Sequence, residues 1–162
     1  MNDRIVNIPL EHSSYPVRIS TIQRFILNEI KRLSDATGYP GDQLPVRFLT
    51  SKETNGGKTI AEFVSERRGG VYVPTGFNFY LDEITKHSAN QIIDTTRHEF
   101  AHYVRLMQYG HCSENNGHDA LWKDICRHLS CKPERYFRPH VTQCFFGTYA
   151  QGVKTRADKT GI

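Results

Sequence analysis

Apolar residues recur every three to four positions in two long stretches of this chain, and between them the pattern shortens toward alternation. In the first stretch Ile22, Phe25, Ile26, Ile30 and Leu33 share one face. Gly38 and Pro40 end the run, so the spacing predicts an amphipathic helix from Ser20 to Ser34. The second stretch runs from Ser88 to Gly110 without Pro or internal Gly. Ile92, Ile93, Phe100, Val104 and Met107 give it a packing side, Ser88 with Gln91 offers a capping box, and Gly110 a stop. A shorter set follows the turn formers Asn115, Asn116 and Gly117. Its members, Leu121, Trp122, Ile125 and Leu129, predict a further helix that packs on the second.

The region between the first two helices reads as strands. Val46 to Thr50 follows Pro45, Asn55-Gly56-Gly57 marks a turn, and Thr59 to Ser65 is a second strand. Arg67-Arg68-Gly69-Gly70 is another turn. Val71-Tyr72-Val73 and Phe77 to Leu81 are two strands or one bent strand, interrupted at Pro74 and Gly76. Residues 1–19, broken by Pro9 and Pro16, are expected to be irregular or weakly extended. Past Cys131 the chain is punctuated by Pro, with Val141 to Tyr149 extended. One helix, several antiparallel strands and two helices give an α+β domain: an N-terminal helix, a small antiparallel or mixed sheet, and two further helices. At 162 residues a single domain over 1–150 is expected, with 151–162 a frayed polar tail.

Composition narrows the class little. Charged residues are 23% and hydrophobic residues 38%, ordinary for a globular protein, and no apolar run is long enough to span a bilayer. The start, Met1 to Val6, lacks the apolar core of a signal peptide, so a cytoplasmic protein without a membrane segment is expected; a monomer is expected as well. In that compartment Cys112, Cys126, Cys131 and Cys144 are expected as thiols.

The second helix carries the chemistry. Residues 98–102 read His-Glu-Phe-Ala-His. Side chains four apart on a helix lie on one face, so His98 and His102 can ligate one zinc ion with the Glu99 carboxylate beside it. Chance placement at this composition gives about 0.02 such matches per chain, so the pattern carries information. A third ligand is needed. His118 stands at the entrance of the following helix, with enough chain after His102 to turn and return antiparallel. His111, next to Gly110, His128, toward the far end of that helix, and Glu114, in the loop, are weaker candidates. Three protein ligands and an open fourth position suit a catalytic zinc, whereas structural zinc is usually closed by four.

The pairing of His98-Glu99-x-x-His102 with Gly117-His118-Asp119-Ala120-Leu121-Trp122 resembles the SprT-like zinc metallopeptidases, and is similar to the related WLM and YgjP-type families. The resemblance is specific over residues 88–130. It implies a zincin-like fold, zinc at His98, His102 and His118, Glu99 as catalytic base, and a protein or peptide substrate. Two departures stand out. The family often has Gly after the third His, where this chain has Asp119. The family commonly carries a C-terminal zinc ribbon with paired C-x-x-C knuckles, and these 162 residues contain no C-x-x-C. In such folds substrate commonly lies as a strand added to a sheet edge, and Gly70 to Leu81 is the candidate edge.

Other residues invite a role. Asp94, one turn before His98, is a candidate to orient a ligand, although an acid in the first turns of a helix is common. Tyr109, Tyr136, His140 and Tyr149 are candidate oxyanion donors. Cys126, Cys131, His140 and Cys144 match no common structural-zinc spacing. Net charge is +4, and Lys123, Arg127, Lys132, Arg135 and Arg138, with Lys154, Arg156 and Lys159, interleave with Tyr136, Phe137, Phe145, Phe146 and Tyr149. That pattern suits DNA or other single-stranded nucleic acid, but a solvated helix face and packed strand produce it more often. The alternative to a peptidase is therefore a nucleic-acid- or protein-binding module that keeps zinc for stability. Hydrolysis of a non-peptide amide is a third, weaker reading.

Overall fold

The computed structural model describes residues 3–54 and 57–134. The segment before the first helix is not irregular. Strands β1 (Ile5–Leu10) and β2 (Ser13–Arg18) form an antiparallel hairpin in register Val6↔Val17 and Ile8↔Tyr15. In a two-stranded sheet each strand has one side without a partner, so Pro9 and Pro16 are tolerated where a central strand would reject them. Ile8 is buried, and Val6, Tyr15 and Val17 pack against the core.

Helix α1 (Ile19–Thr37) is longer at both ends than its apolar face suggests. Its start is capped from a distance: Asp3 Oδ1 accepts from the Ser20 amide and Oδ2 from the Ser20 hydroxyl, both at 2.9 Å. At the other end Gly38, in the left-handed region, donates to Ser34 O at 2.9 Å. Among the described residues the main sheet has three strands: β3 (Val46–Leu49), then β6 (Ala61–Arg68) and β7 (Val71–Tyr80), with a two-residue pair β4 (Glu53–Thr54) and β5 (Gly57–Lys58) inserted before β6. Thus the strand expected from Thr59 begins at Ala61 and runs on to Arg68, and the two segments at Val71 and Phe77 are one strand. The order is β3-β7-β6, with β3 parallel to β7 and β6 antiparallel to it. This corrects the candidate edge: Gly70 to Leu81 lies mostly in the central strand, because β3 pairs with its other side, and among the described residues β6 is an edge. A bulge at Val64/Ser65 bends the hairpin. Gly76 sits beside it at φ 150°, where an added Cβ would stand 2.5 Å from Pro45 O.

A short helix α2 (Leu81–Ile84), not anticipated from the sequence, leads into α3 (Ala89–Tyr109), and α4 (Ala120–His128) follows a 3-10 turn at Glu114–Gly117. Phe77 and Phe79 of β7 meet Ile26, Ile30 and Leu33 of α1 and Ile92, Phe100 and Tyr103 of α3 in one buried cluster. Each such side chain contributes about 1.5–3 kcal/mol by leaving water. Glu29 fastens α1 to α3, accepting from Arg97 Nε at 2.6 Å and from Arg32 of its own helix. The result is an α+β fold. Among the described residues no helix is long and apolar enough to cross a membrane.

Candidate metal centre

The start of α3 is fixed by a reciprocal pair of bonds. Gln91 N donates to Ser88 Oγ at 3.3 Å, and Ser88 N to Gln91 Oε1 at 2.8 Å. From that start, helical spacing brings His98 and His102 onto one side, ring centroids 5.1 Å apart. His118 returns to them just before α4. Its Nε2 lies 3.1 Å from His102 Nε2 and 3.3 Å from His98 Nε2. Three ring nitrogens aimed at one point cannot all hydrogen-bond to one another with one proton per neutral ring. As a donor set they could hold a metal ion. Behind the three rings stands Trp122, fully buried, stacked on His102 at 5.0 Å and meeting His98 and His118 edge-on at 4.7 and 4.6 Å. Gly117 permits the tight approach: at φ 82°, a Cβ there would sit 3.4 Å from His102 Nδ1.

The loop carrying His118 is gripped by an ion pair. Asp119 caps α4, accepting from the Trp122 amide at 3.0 Å. The same carboxylate is forked by Arg105 of α3, with Nε at 3.1 and 3.2 Å and Nη2 at 2.8 Å. Arg105 also donates to Gly110 O at 3.0 Å, and the Cys112 thiol donates to Asp119 at 3.4 Å. Arg105 chiefly, against the opposing effect of burial, holds the Asp119 carboxyl down to about 2. The departure from Gly at this position is therefore a built contact.

Glu99 is buried beside the histidines. Its Oε1 accepts from the Phe63 amide of β6 at 2.9 Å, and its Oε2 lies 3.7 Å from His98 Nε2. Burial pushes its carboxyl up to about 8, with the Phe63 amide working against the rise. Burial, then the nearby His118, pushes His98 down to about 3, and His102 is likewise held well below its usual range. His98 and His102 are thus held in the neutral form, the form that binds metal.

These groups line a cleft of about 800 Å³. One wall is Ile60 and the β6 residues Ala61, Glu62, Phe63 and Ser65; the other is Gly110, His111, Cys112 and Asn116 to His118, and Thr54 and Lys58 also line the cleft. Tyr80 N donates to Ile60 O across the sheet, while Phe63 N turns outward to Glu99. Strand alternation then turns the main-chain groups of Ala61, Phe63 and Ser65 toward the cleft.

The remaining candidates take other places. His111 is in the loop, stacked on Tyr72 at 3.7 Å. His128 Nδ1 meets Asp124 O within α4, and Glu114 is exposed in the 3-10 turn. Asp94 Oδ1 accepts from the Lys132 amide and ties the chain after α4 to α3. Tyr109 is 55% exposed under the Arg105 guanidinium and does not line the cleft. Cys112, Cys126 and Cys131 are free thiols. Residues from Arg135 onward lie outside the described residues, and with them Tyr136, His140, Cys144, Tyr149, the extended segment and most of the basic, aromatic stretch. Sequence reasoning missed the Arg105–Asp119 pair and the Phe63 amide. An Asp immediately before an apolar-periodic run is a cap signal, so half of Asp119's role could have been found. No protein-family model, curated protein or solved structure matches this chain.

Proposed function

We propose that the chain is a zinc-dependent peptidase of the zincin type, as its resemblance to the SprT-like family implies. The observation that carries this reading is the convergence of His98, His102 and His118 beside a buried Glu99 on an open cleft. Nitrogens 2.0–2.1 Å from one tetrahedral zinc stand about 3.3 Å apart, and the two measured separations, 3.1 and 3.3 Å, fit that requirement. Zinc held there would supply Lewis acidity toward a carbonyl and toward water.

The protein's own groups do the rest. The Phe63 amide holds Oε1 of Glu99 and leaves Oε2 to take a proton from water and return it to the leaving amine. The outward main-chain groups of Ala61 and Ser65 suit an extended peptide added to β6, which gives affinity with limited demand on sequence. Arg105, through Asp119, keeps His118 in place. Glu99→Gln tests the reading: the variant should keep zinc at one equivalent per chain and its stability, and lose at least about a hundredfold in peptide cleavage. Wild-type protein refolded with zinc yet holding less than about half an equivalent would overturn it. Unchanged cellular function of Glu99→Gln would favour the module that keeps zinc for stability alone.

A further inference from the structure

We infer that the Tyr72–His111 stack is an end wall of the cleft and limits how far a substrate chain extends past the three histidines on that side; the inference rests on the peptidase reading above. Tyr72 stands on β7 opposite Arg67, next to the turn of the β6–β7 hairpin. His111 follows the last residue of α3 by two positions and lines the cleft. Their rings are 3.7 Å apart and 7° from parallel. Of the two rings His111 lines the cleft; Tyr72 stands behind it on the hairpin that carries the β6 wall, so the stack ties that hairpin to the loop of the opposite wall.

The position of the wall sets a length. Phe63, whose amide meets Glu99, and Arg67, which pairs with Tyr72, are four positions apart on β6. At about 3.3 Å per residue the distance is ~13 Å, room for about four extended residues between Glu99 and the wall. A longer chain must part the two rings. Tyr72 is half-buried and His111 exposed. An aromatic contact of this kind is worth about a fivefold shift in population, ~1 kcal/mol. The bulge at Val64/Ser65 gives the hairpin a place to bend when the rings part. The pair would therefore favour short chain ends or loops over long through-running chains, without excluding the latter.

The test is a ladder of peptides built on one cleavable sequence and lengthened a residue at a time, up to about eight residues on either side. Binding to zinc-loaded Glu99→Gln protein is read by fluorescence anisotropy, and kcat/KM is measured with zinc-loaded wild type. On one side both should weaken about fivefold beyond about four residues. Tyr72→Ala should remove that break while leaving the shortest peptides unaffected, and Tyr72→Phe, which keeps a ring, should retain it. The same ladder for wild type and Tyr72→Ala, or no break on either side, would overturn the wall. A break in binding without any cleavage would leave the wall standing and overturn the peptidase reading. Cleavage with an unbroken ladder would do the reverse, and failure of every peptide to bind would overturn both.

Discussion

Replacing Arg105 by Gln asks whether the third histidine is held from behind. Arg105 follows His102 by three positions on α3, and Asp119 follows His118 directly. Their side chains are 10% and 12% exposed and meet through three contacts of 2.8–3.2 Å. Without the guanidinium, the Asp119 carboxylate stays buried with the Trp122 amide and the Cys112 thiol as its remaining partners. Removing one member of a buried ion pair costs on the order of 3–5 kcal/mol. The lower end applies here, because both groups keep some contact with water and the carboxylate keeps its place as helix cap. Metal-free protein should therefore lose about 3 kcal/mol of stability.

The effect on metal is separate and is the sharper test. Groups that orient a ligand from behind are worth about 10- to 100-fold in metal affinity. At fixed zinc well above the dissociation constant, a hundredfold weaker affinity removes a further ~2.7 kcal/mol of metal-linked stabilisation. Urea unfolding with and without zinc should thus show a larger gap between variant and wild type in the loaded state, and chelator competition should show the weaker affinity directly. Arg105→Lys keeps the charge but not the fork, and should fall between. A variant that loses its 3 kcal/mol or so yet binds zinc within about threefold of wild type would refute the reasoning. The pair would then fasten two helices without positioning a ligand.

Three further outcomes are expected. Burial holds His87 down to about 4 in the folded protein, while the unfolded chain takes up the proton near 6.5. Stability from this group is present above pH 6.5 and is lost as the pH falls toward 4, at about 1.4 kcal/mol per unit. Urea unfolding of metal-free His87→Leu should be less pH-dependent in that window than wild type, and parallel curves would contradict the buried neutral ring. Trp122→Ala should cost about 3–5 kcal/mol and release zinc more readily, because the side chain is fully buried behind all three rings. Equal zinc off-rates for the variant and wild type would count against that backing role. Gly117→Ala forces a side chain into the left-handed region at φ 82°, and chelator competition should show weaker zinc binding, with little change if the loop can shift without moving His118.

What could be read from the chain follows the range of each interaction. His98 and His102 are four positions apart on a helix whose cap, Ser88 with Gln91, and stop, Gly110, are local signals, so α3 and the meeting of these two rings on one side of it are legible. His118 is legible because a turn signal and an apolar-periodic run bracket it. The N-terminal hairpin is hidden because Pro9 and Pro16 forbid a strand only where both sides are paired, and whether a strand is an edge is a property of the whole sheet.

The same limit misreads the candidate edge strand, and the physical reason bears on the proposed function. Alternation of apolar residues tells which side of β7 faces the core, but not which strands lie beside it. Only the parallel pairing of β3 with β7 makes β7 central and leaves β6 exposed to the cleft. With the outer side of β6 unpaired among the described residues, the Phe63 amide takes a partner 36 positions away, and Glu99 is oriented by that strand. Under the proposed peptidase reading, base and binding edge are coupled through one hydrogen bond. A shift of β6 that weakened peptide pairing would also turn Glu99, so changes at the β6 edge should lower kcat and raise KM together, whereas changes at a mere docking strand would raise KM alone.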